Sequence, residues 1–198
     1  TWTDRPQQTV NYVEAHDNLT LYDKLKCSMP EASEPEIIAA DKMAAALVVL
    51  SQGIPFIQAG QELLRSKPSP DGGYVNDSYN SPDSVNGIKW DDVTIHRNVM
   101  EYYRGLIAIR RSFPEFRMRT AKEIRSSISW EEPGEPGAIA AHIGGFLLIV
   151  NPTDARLEYP CEKQAVYADA RHADSSPLYY SEGYITVEPH SVSLSREQ

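Results

Sequence analysis

The chain has 198 residues, of which 41% are hydrophobic and 24% are charged, and its net charge is −9. This length and composition fit one or two globular domains and do not resemble collagen, a coiled coil or a disordered chain. The acidic balance, without a cluster of lysine and arginine, argues against nucleic acid or an anionic membrane as a partner, whereas a neutral ligand such as a sugar is compatible with it. The longest nearly continuous apolar run, residues 43–50, is too short to span a membrane.

The beginning of the chain and its two cysteines give limited information. Residues 1–6 lack the basic and apolar regions of a signal peptide and do not begin with methionine, so we expect Thr1 to be an internal residue of a longer protein. Cys27 and Cys161 fit no metal-binding spacing and are predicted to be unpaired thiols.

The first half of the chain alternates predicted strands and helices. Residues 10–13 form a β-rich run. A helix is then expected to begin at Ser33, because Ser33 and Glu36 have the spacing of a capping box and Pro35 suits a first helical turn. Apolar residues recur at helical spacing up to residue 48, and Gly53 ends the helix.

A second strand and a second long helix follow. Residues 55–59 are apolar on both faces, as in a buried parallel strand, and residues 99–110 form an amphipathic helix that ends before Pro114. This order is typical of a parallel sheet with right-handed crossovers. Two such units cannot complete a sheet, so residues 1–112 are predicted to be the tail of a larger α/β domain.

The second half, residues 113–198, has a different pattern. The paired glycines Gly144 and Gly145 lie between two apolar runs and predict a two-residue hairpin. Frequent turns between short strands favour an antiparallel β-sandwich. Tyr179 and Tyr180 could form a platform for a sugar ring, but packing in the core or at an edge is the stronger expectation, and the same holds for Trp130 and for Trp2 at the start of the chain. The predicted strands are residues 126–130, 138–143, 146–150, 155–159, 164–168, 185–187 and 191–194.

A polar motif follows the first predicted strand directly. It comprises Glu14, His16, Asp17 and Asn18, and polar residues at the carboxyl end of a parallel strand suggest a functional site. The motif alone also fits a capped turn. A metal site is a weaker alternative, because the spacing matches no zinc signature of hydrolases.

The long polar segment after the second strand, residues 65–89, has two interpretations. Its content of proline, serine, aspartate and glycine fits a mobile linker. However, Tyr74, Tyr79 and Trp90 offer flat surfaces on which a sugar ring can stack, and Asn80 and Asp83 offer partners for hydroxyl groups. Near its start, Glu62 and Arg65 have the spacing of a structural ion pair.

Several of these segments resemble the α-amylase superfamily, and type I pullulanases in particular. Residues 12–25, which contain Asn18, Thr20, Leu21, Asp23 and Lys24, resemble the region at the end of barrel strand seven. Residues 53–62 resemble the strand-eight segment, residues 76–90 the loop that follows it, and residues 102–110 the last barrel helix. Four motifs in the right order, at matching spacing, make the resemblance specific over residues 7–116.

The resemblance implies a fold and a reaction. The fold is the C-terminal part of a (β/α)8 TIM barrel, residues 1–112, followed by an antiparallel β-sandwich, residues 113–198. The reaction is the hydrolysis of α-1,6-glucosidic linkages in pullulan, amylopectin or glycogen by a retaining mechanism that uses two carboxyl groups. The nucleophilic Asp and the acid/base Glu of the family lie upstream of Thr1, so the chain alone is predicted to be inactive.

The resemblance also assigns roles to individual residues. Asp17 matches the carboxylate that stabilises the transition state, and His16 matches the histidine that donates to the same sugar. The partners implied are the α-glucan and the remainder of the barrel. No redox cofactor is implied; calcium occurs in some relatives, but no acidic cluster here has EF-hand spacing. The substrate-binding residues implied are Asn18, Tyr79, Asn80, Asp83 and Arg65.

Two alternatives remain open at this point. The parent protein could be an amylase-superfamily hydrolase that acts on α-1,4 bonds, although the loop of residues 76–83 argues against this. It could also be a non-catalytic glucan-binding protein. The presence or absence of the two upstream carboxylates distinguishes a hydrolase from a binding protein.

Overall fold

The computed structural model describes residues 3–198, which contain six α-helices, and five of these, together with two short strands, lie within residues 3–112. The helix predicted from Ser33 onward is confirmed, with the Glu36 carboxylate accepting from the Ser33 backbone N–H at 2.7 Å. The predicted helix over residues 99–110 is also confirmed and is longer at both ends. The elements are β1 (Val10–Asn11), α1 (Leu21–Ser28), α2 (Glu34–Leu50), β2 (Ile54–Pro55), α3 (Asp83–Asn86), α4 (Asp92–Ile95), α5 (Arg97–Ser112) and α6 (Ala121–Ser127).

Strands β1 and β2 pair in parallel, with Val10 opposite Ile54 and Asn11 opposite Pro55. The prediction that the second strand is buried on both faces was wrong for the described residues. The side chains of Val10, Tyr12, Ile54 and Phe56 are between 43% and 58% exposed. Within residues 3–198, each of the two strands pairs only with the other, so each has one edge without a strand partner.

The second half forms one antiparallel sheet of six strands in the order β3-β4-β5-β8-β6-β7. The Gly144–Gly145 hairpin is confirmed, since Ile143 pairs with Phe146. Two predicted strands, over residues 155–159 and 164–168, are instead one long strand, because a bulge between Cys161 and Gln164 absorbs the residues between them. The strands are β3 (Ile128–Glu131), β4 (Ile139–Ile143), β5 (Phe146–Asn151), β6 (Leu157–Ala168), β7 (Tyr179–Val187) and β8 (Ser191–Glu197).

Both faces of this sheet are buried, against different partners. On one face, alternate residues of β4 and β5 pack against the first part of β6 and the end of β7, as Leu147 and Ile149 do against Leu157 and Val187. The sheet therefore folds over on itself. The two layers of the predicted sandwich belong to one continuous hydrogen-bonded sheet and not to two separate sheets.

The opposite face of the sheet packs on helices α2 and α5. Leu50 of α2 and Leu106 of α5 share one apolar core with Phe146, Leu148 and Leu194 of the sheet. The core therefore spans residue 112, the boundary that divides the two predicted domains.

The predictions for individual cysteines and aromatic residues are confirmed only in part. Both cysteines are free, as predicted. Trp130 was expected to be packed but is 67% exposed on the edge strand β3, and Tyr180 is exposed on the edge strand β7. Trp2 lies outside the described residues. Within residues 3–198, no helix has both the length and the apolar character needed to cross a membrane.

Gly105 allows α5 to approach the loop after β6. A Cβ atom at this position would lie 1.8 Å from the carbonyl oxygen of Ala173. This loop cannot easily retreat, because the Asp174 backbone N–H donates to the Tyr167 carbonyl at 2.9 Å. The absence of a side chain at Gly105 is therefore a packing requirement.

We expect Gly105→Ala to lower the free energy of unfolding. Alanine favours a helix over glycine by about 1 kcal/mol, but overpacking against backbone costs roughly 1–3 kcal/mol or more, so the clash should dominate. Gly145→Ala is the matched control, because its Cβ would meet the movable Arg196 side chain at 3.2 Å. Denaturant titration measures both; equal stability of the two variants would contradict the packing argument.

Candidate functional site

The two parallel strands deliver polar segments to the same edge of the fold. β1 leads into residues 14–18 and β2 into residues 58–62, and parallel strands end on the same side of a sheet. With its amide oriented to satisfy its neighbours, Gln58 donates to the Ala15 carbonyl at 2.6 Å and to Glu14 Oε1 at 2.8 Å. The two segments that follow the strands are thus joined by direct hydrogen bonds.

His16 and Asp17 project from this edge into solvent. Their side chains are 81% and 74% exposed, and His16 Nε2 lies 3.5 Å from Asp17 Oδ1. At this exposure the pair contributes little to folding stability. Asn18 follows with a φ of 64°, a left-handed conformation that asparagine tolerates better than most residues. Such exposed groups remain free to contact a ligand.

Glu14 does not belong to this exposed group. It is 1% exposed, and Oε2 accepts the Leu21 backbone N–H at 2.8 Å. Burial raises the pKa of Glu14, and the Leu21 hydrogen bond, together with the positive charge of Arg65, opposes this rise. In the part of the chain that the structure describes, no three His, Cys, Asp or Glu side chains are placed to hold a metal ion.

Helix α1, which the sequence analysis missed, connects this edge to the long polar segment. Thr20 caps the helix by accepting from the Asp23 backbone N–H at 3.2 Å. The buried Asp23 carboxylate accepts from Ser66 Oγ at 2.6 Å and from the Lys67 backbone N–H at 2.9 Å. These contacts fix the start of the segment next to the helix that follows Asp17.

The long segment is folded and is not the mobile linker that its composition also allowed. Lys67 Nζ is buried and donates to Ser78 Oγ at 2.7 Å. Asn86 Nδ2 in α3 donates to the carbonyl oxygens of Ser78 at 2.6 Å and Ser81 at 3.1 Å. Burial lowers the pKa of Lys67, and the positive charge of Arg65 lowers it further. The segment therefore has its own hydrogen-bonded framework.

This framework leaves three of the predicted binding residues exposed. Tyr79, Asn80 and Asp83 are all exposed, Tyr79 to 79%. Among residues 3–198, their side chains form no hydrogen bond with protein groups. Their backbone is held in place by the hydrogen bonds of the neighbouring residues Ser78 and Asn86. Among the described residues, no hydrogen bond or ion pair joins these three side chains to Asp17.

Arg65, the remaining predicted binding residue, is largely occupied by contacts within the protein. Its guanidinium donates to the Ala59 carbonyl at 3.3 Å and to the Asn86 carbonyl. The predicted ion pair between Glu62 and Arg65 does not occur among the described residues; Glu62 Oε2 instead accepts from the Gly60 backbone N–H at 3.0 Å. Arg65 therefore joins the end of β2 to α3 and is only partly exposed.

Sequence reasoning missed the supporting residues Gln58, Lys67 and Ser78. Lys67 and Ser78 are separated by eleven residues, in a segment without periodicity, so spacing gave no signal. Asp23 offered a partial signal, since it follows Thr20 at N-capping spacing.

Comparison with known proteins gives a consistent result. No family model matches the chain. The chain is 39% identical to the pullulanase of Bacillus subtilis (strain 168) over 120 residues, which cover 61% of the chain and 16% of that protein. It is 32% identical over 176 residues to pullulanase 1, chloroplastic, of Arabidopsis thaliana, which covers 70% of the chain and 18% of that protein.

Solved structures extend the likeness to almost the whole chain. The pullulanase from Bacillus acidopullulyticus aligns over 98% of this chain and 25% of its own, with a TM-score of 0.88 and 29% identity. Pullulanase type I from Bacillus subtilis, complexed with maltose, aligns over 98% of this chain and 28% of its own, with a TM-score of 0.86 and 26% identity.

The chain spans less than one fifth of the length of both curated relatives. The resemblance to pullulanases predicted from the motifs is confirmed, and the chain corresponds to one part of a protein of that group.

Proposed function

We propose that the chain is the C-terminal part of a starch-debranching enzyme that hydrolyses α-1,6-glucosidic linkages in pullulan, amylopectin or glycogen. The observation that carries this proposal is the exposed His16–Asp17 pair at the end of a parallel strand, in a chain that aligns with pullulanases over 98% of its length. An exposed carboxylate beside an imidazole can bond sugar hydroxyls and stabilise developing positive charge.

We further propose that residues 1–112 are the last βα units of a (β/α)8 barrel and that residues 113–198 are a separate C-terminal domain. The parallel pairing of β1 and β2 supports this, because consecutive barrel strands are parallel neighbours. The exposed apolar side chains of the two strands also support it, since the remaining barrel would cover them. The wide core beneath the sheet would then be the interface between the two domains.

In this proposal the chain supplies one wall of the active site. Asp17 stabilises the oxocarbenium-like transition state and holds sugar hydroxyls, and His16 donates to the same sugar. The nucleophile and the acid/base come from the barrel strands that precede Thr1. Asp17 therefore assists a reaction whose two principal carboxyl groups lie outside this chain.

The folded segment after β2 is proposed to bind more distant sugar units. Tyr79 presents an exposed ring on which a pyranose can stack, and Asn80 and Asp83 present free polar groups for its hydroxyls. Asn18 would bond the sugar next to Asp17. Arg65 would act mainly by holding this segment against β2, because its guanidinium already bonds two carbonyl groups.

The experiment that tests the proposal compares pullulan and amylose as substrates of the full-length protein. Rapid hydrolysis of pullulan, with products first released as the α-anomer by NMR, is the expected result. Preference for amylose would favour the α-1,4-acting alternative, and glucan binding without turnover would favour the non-catalytic one. The chain of residues 1–198 alone is expected to give no turnover.

A further inference from the structure

Glu14 is a buried carboxylate that lies next to an exposed candidate site. It is 1% exposed, whereas His16 and Asp17, two and three residues later, are mostly exposed. A buried carboxylate is rare unless it is well paired. Both Glu14 oxygens have partners: Oε2 accepts from the Leu21 N–H at 2.8 Å, and Oε1 accepts from Gln58 Nε2 at 2.8 Å.

The contacts of Glu14 close the loop that carries the site. Leu21 is the first residue of α1, and its N–H is one of the backbone donors that a helix leaves unpaired in its first turn. The Glu14–Leu21 bond therefore joins the two ends of the segment formed by residues 15–20. Asn18, at φ 64° inside this segment, needs a fixed surrounding chain to remain in the left-handed region.

Gln58 fixes the same loop from the neighbouring strand end. Its amide nitrogen donates to the Ala15 carbonyl at 2.6 Å as well as to Glu14. Lys24 adds a further contact at the base, because Nζ donates to the Val13 carbonyl at 2.7 Å. Every one of these contacts is at the base of the loop, so the exposed His16 and Asp17 side chains are positioned without being covered.

We propose that Glu14 is a positioning residue, which with Gln58 holds the loop of residues 15–20 so that Asp17 faces the sugar in its reactive geometry. This inference rests on the proposed function. A displacement of a catalytic group by about 1 Å can cost on the order of 100-fold in rate. Loss of the Glu14 carboxylate should therefore lower kcat more than it raises KM.

The test uses Glu14→Ala and Glu14→Gln in the full-length protein, with pullulan as substrate. Glu14→Ala is expected to lower kcat by roughly 30- to 100-fold and to change KM by less than about 3-fold. Glu14→Gln should recover only part of the activity, because its side-chain oxygen can still accept from the Leu21 N–H, whereas its nitrogen cannot accept from the Gln58 amide, which also donates to the Ala15 carbonyl. Glu31→Gln, an exposed change in the connection between α1 and α2, is the matched control and should leave kcat unchanged.

Hydrogen exchange distinguishes positioning from general destabilisation. In Glu14→Ala the Leu21 amide should exchange faster, whereas amides in the middle of α2 should keep their protection. Equal loss of protection in α2 would reduce Glu14 to a structural residue and overturn the proposal. Unchanged kcat despite faster exchange at Leu21 would also overturn it.

A second variant covers the case in which Glu14→Ala does not fold. Gln58→Met removes the amide that joins Glu14 to the neighbouring strand end, and it should likewise lower kcat more than it changes KM. Normal kcat in Gln58→Met would overturn the proposal that Glu14 and Gln58 together hold the loop of residues 15–20. If wild-type protein fails to hydrolyse pullulan, the proposed function is wrong, whereas unchanged Leu21 exchange in Glu14→Ala refutes the positioning role of Glu14.

Discussion

Asp17→Asn in the full-length protein should lower kcat on pullulan by about 10³-fold. The carboxylate is proposed to bond hydroxyls of the reactive sugar, and such bonds contribute several kcal/mol more in the transition state than in the ground state. The amide of asparagine can still bond a hydroxyl but carries no negative charge opposite the developing cation. KM should therefore rise much less than kcat falls.

The exposure of Asp17 makes this prediction easy to separate from an effect on folding. The side chain is 74% exposed, and the side chain of the neighbouring His16 is 81% exposed. The thermal midpoint of Asp17→Asn should therefore equal that of the wild-type protein. Asp71→Asn, an exposed change within the long segment, is a matched control. Wild-type kcat in Asp17→Asn would contradict the role assigned to this carboxylate.

The sequence predicted those helices and turns whose capping, turn and spacing residues all lie within the element itself. Helix α2 combines the Ser33–Glu36 cap, a proline in the first turn and regular apolar spacing, all within the helix itself. The Gly144–Gly145 hairpin is similarly local. Helix α1 was missed because it is only eight residues long and has few apolar positions, and much of what holds it comes from elsewhere in the chain.

The framework of the site could not be predicted in the same way. Asp23 and Ser66 are 43 residues apart, and no repeat or periodicity connects them. The exposed candidate residues were predicted because the family resemblance marks them, whereas their buried supports, such as Gln58, depend on which strands become neighbours. Similarly, the merging of two predicted strands into β6 depends on a bulge whose position is set by pairing with β7.

A buried acid in α2 leads to a prediction about pH. Asp41 is fully buried, and its Oδ1 accepts from Tyr103 Oη at 2.8 Å, while Tyr103 Oη accepts from Gln61 Nε2 at 3.0 Å. The other Asp41 oxygen has no hydrogen-bond partner among the described residues. Burial raises the pKa of Asp41 to about 8, although the Tyr103 hydrogen bond opposes this rise.

The sign of the pH effect follows from this elevated pKa. Between the ordinary pKa of 3.8 and about 8, the folded protein keeps a proton on Asp41 that the unfolded chain has released. The stabilisation is therefore complete below the ordinary pKa and is lost as the pH rises through this window. Its slope is about 1.4 kcal/mol per pH unit for one proton.

Asp41→Asn should remove this dependence, because asparagine resembles the protonated acid and can still accept from Tyr103. The free energy of unfolding, measured by denaturant titration from pH 5 to pH 9, should fall less with pH in this variant than in the wild-type protein. The variant should be the more stable of the two at pH 9. Asp71→Asn, at an exposed position, should leave the wild-type slope unchanged. Parallel curves for Asp41→Asn and the wild-type protein would show that Asp41 is already ionised in the folded state. The unpartnered oxygen would then carry a buried charge that no neighbouring donor compensates.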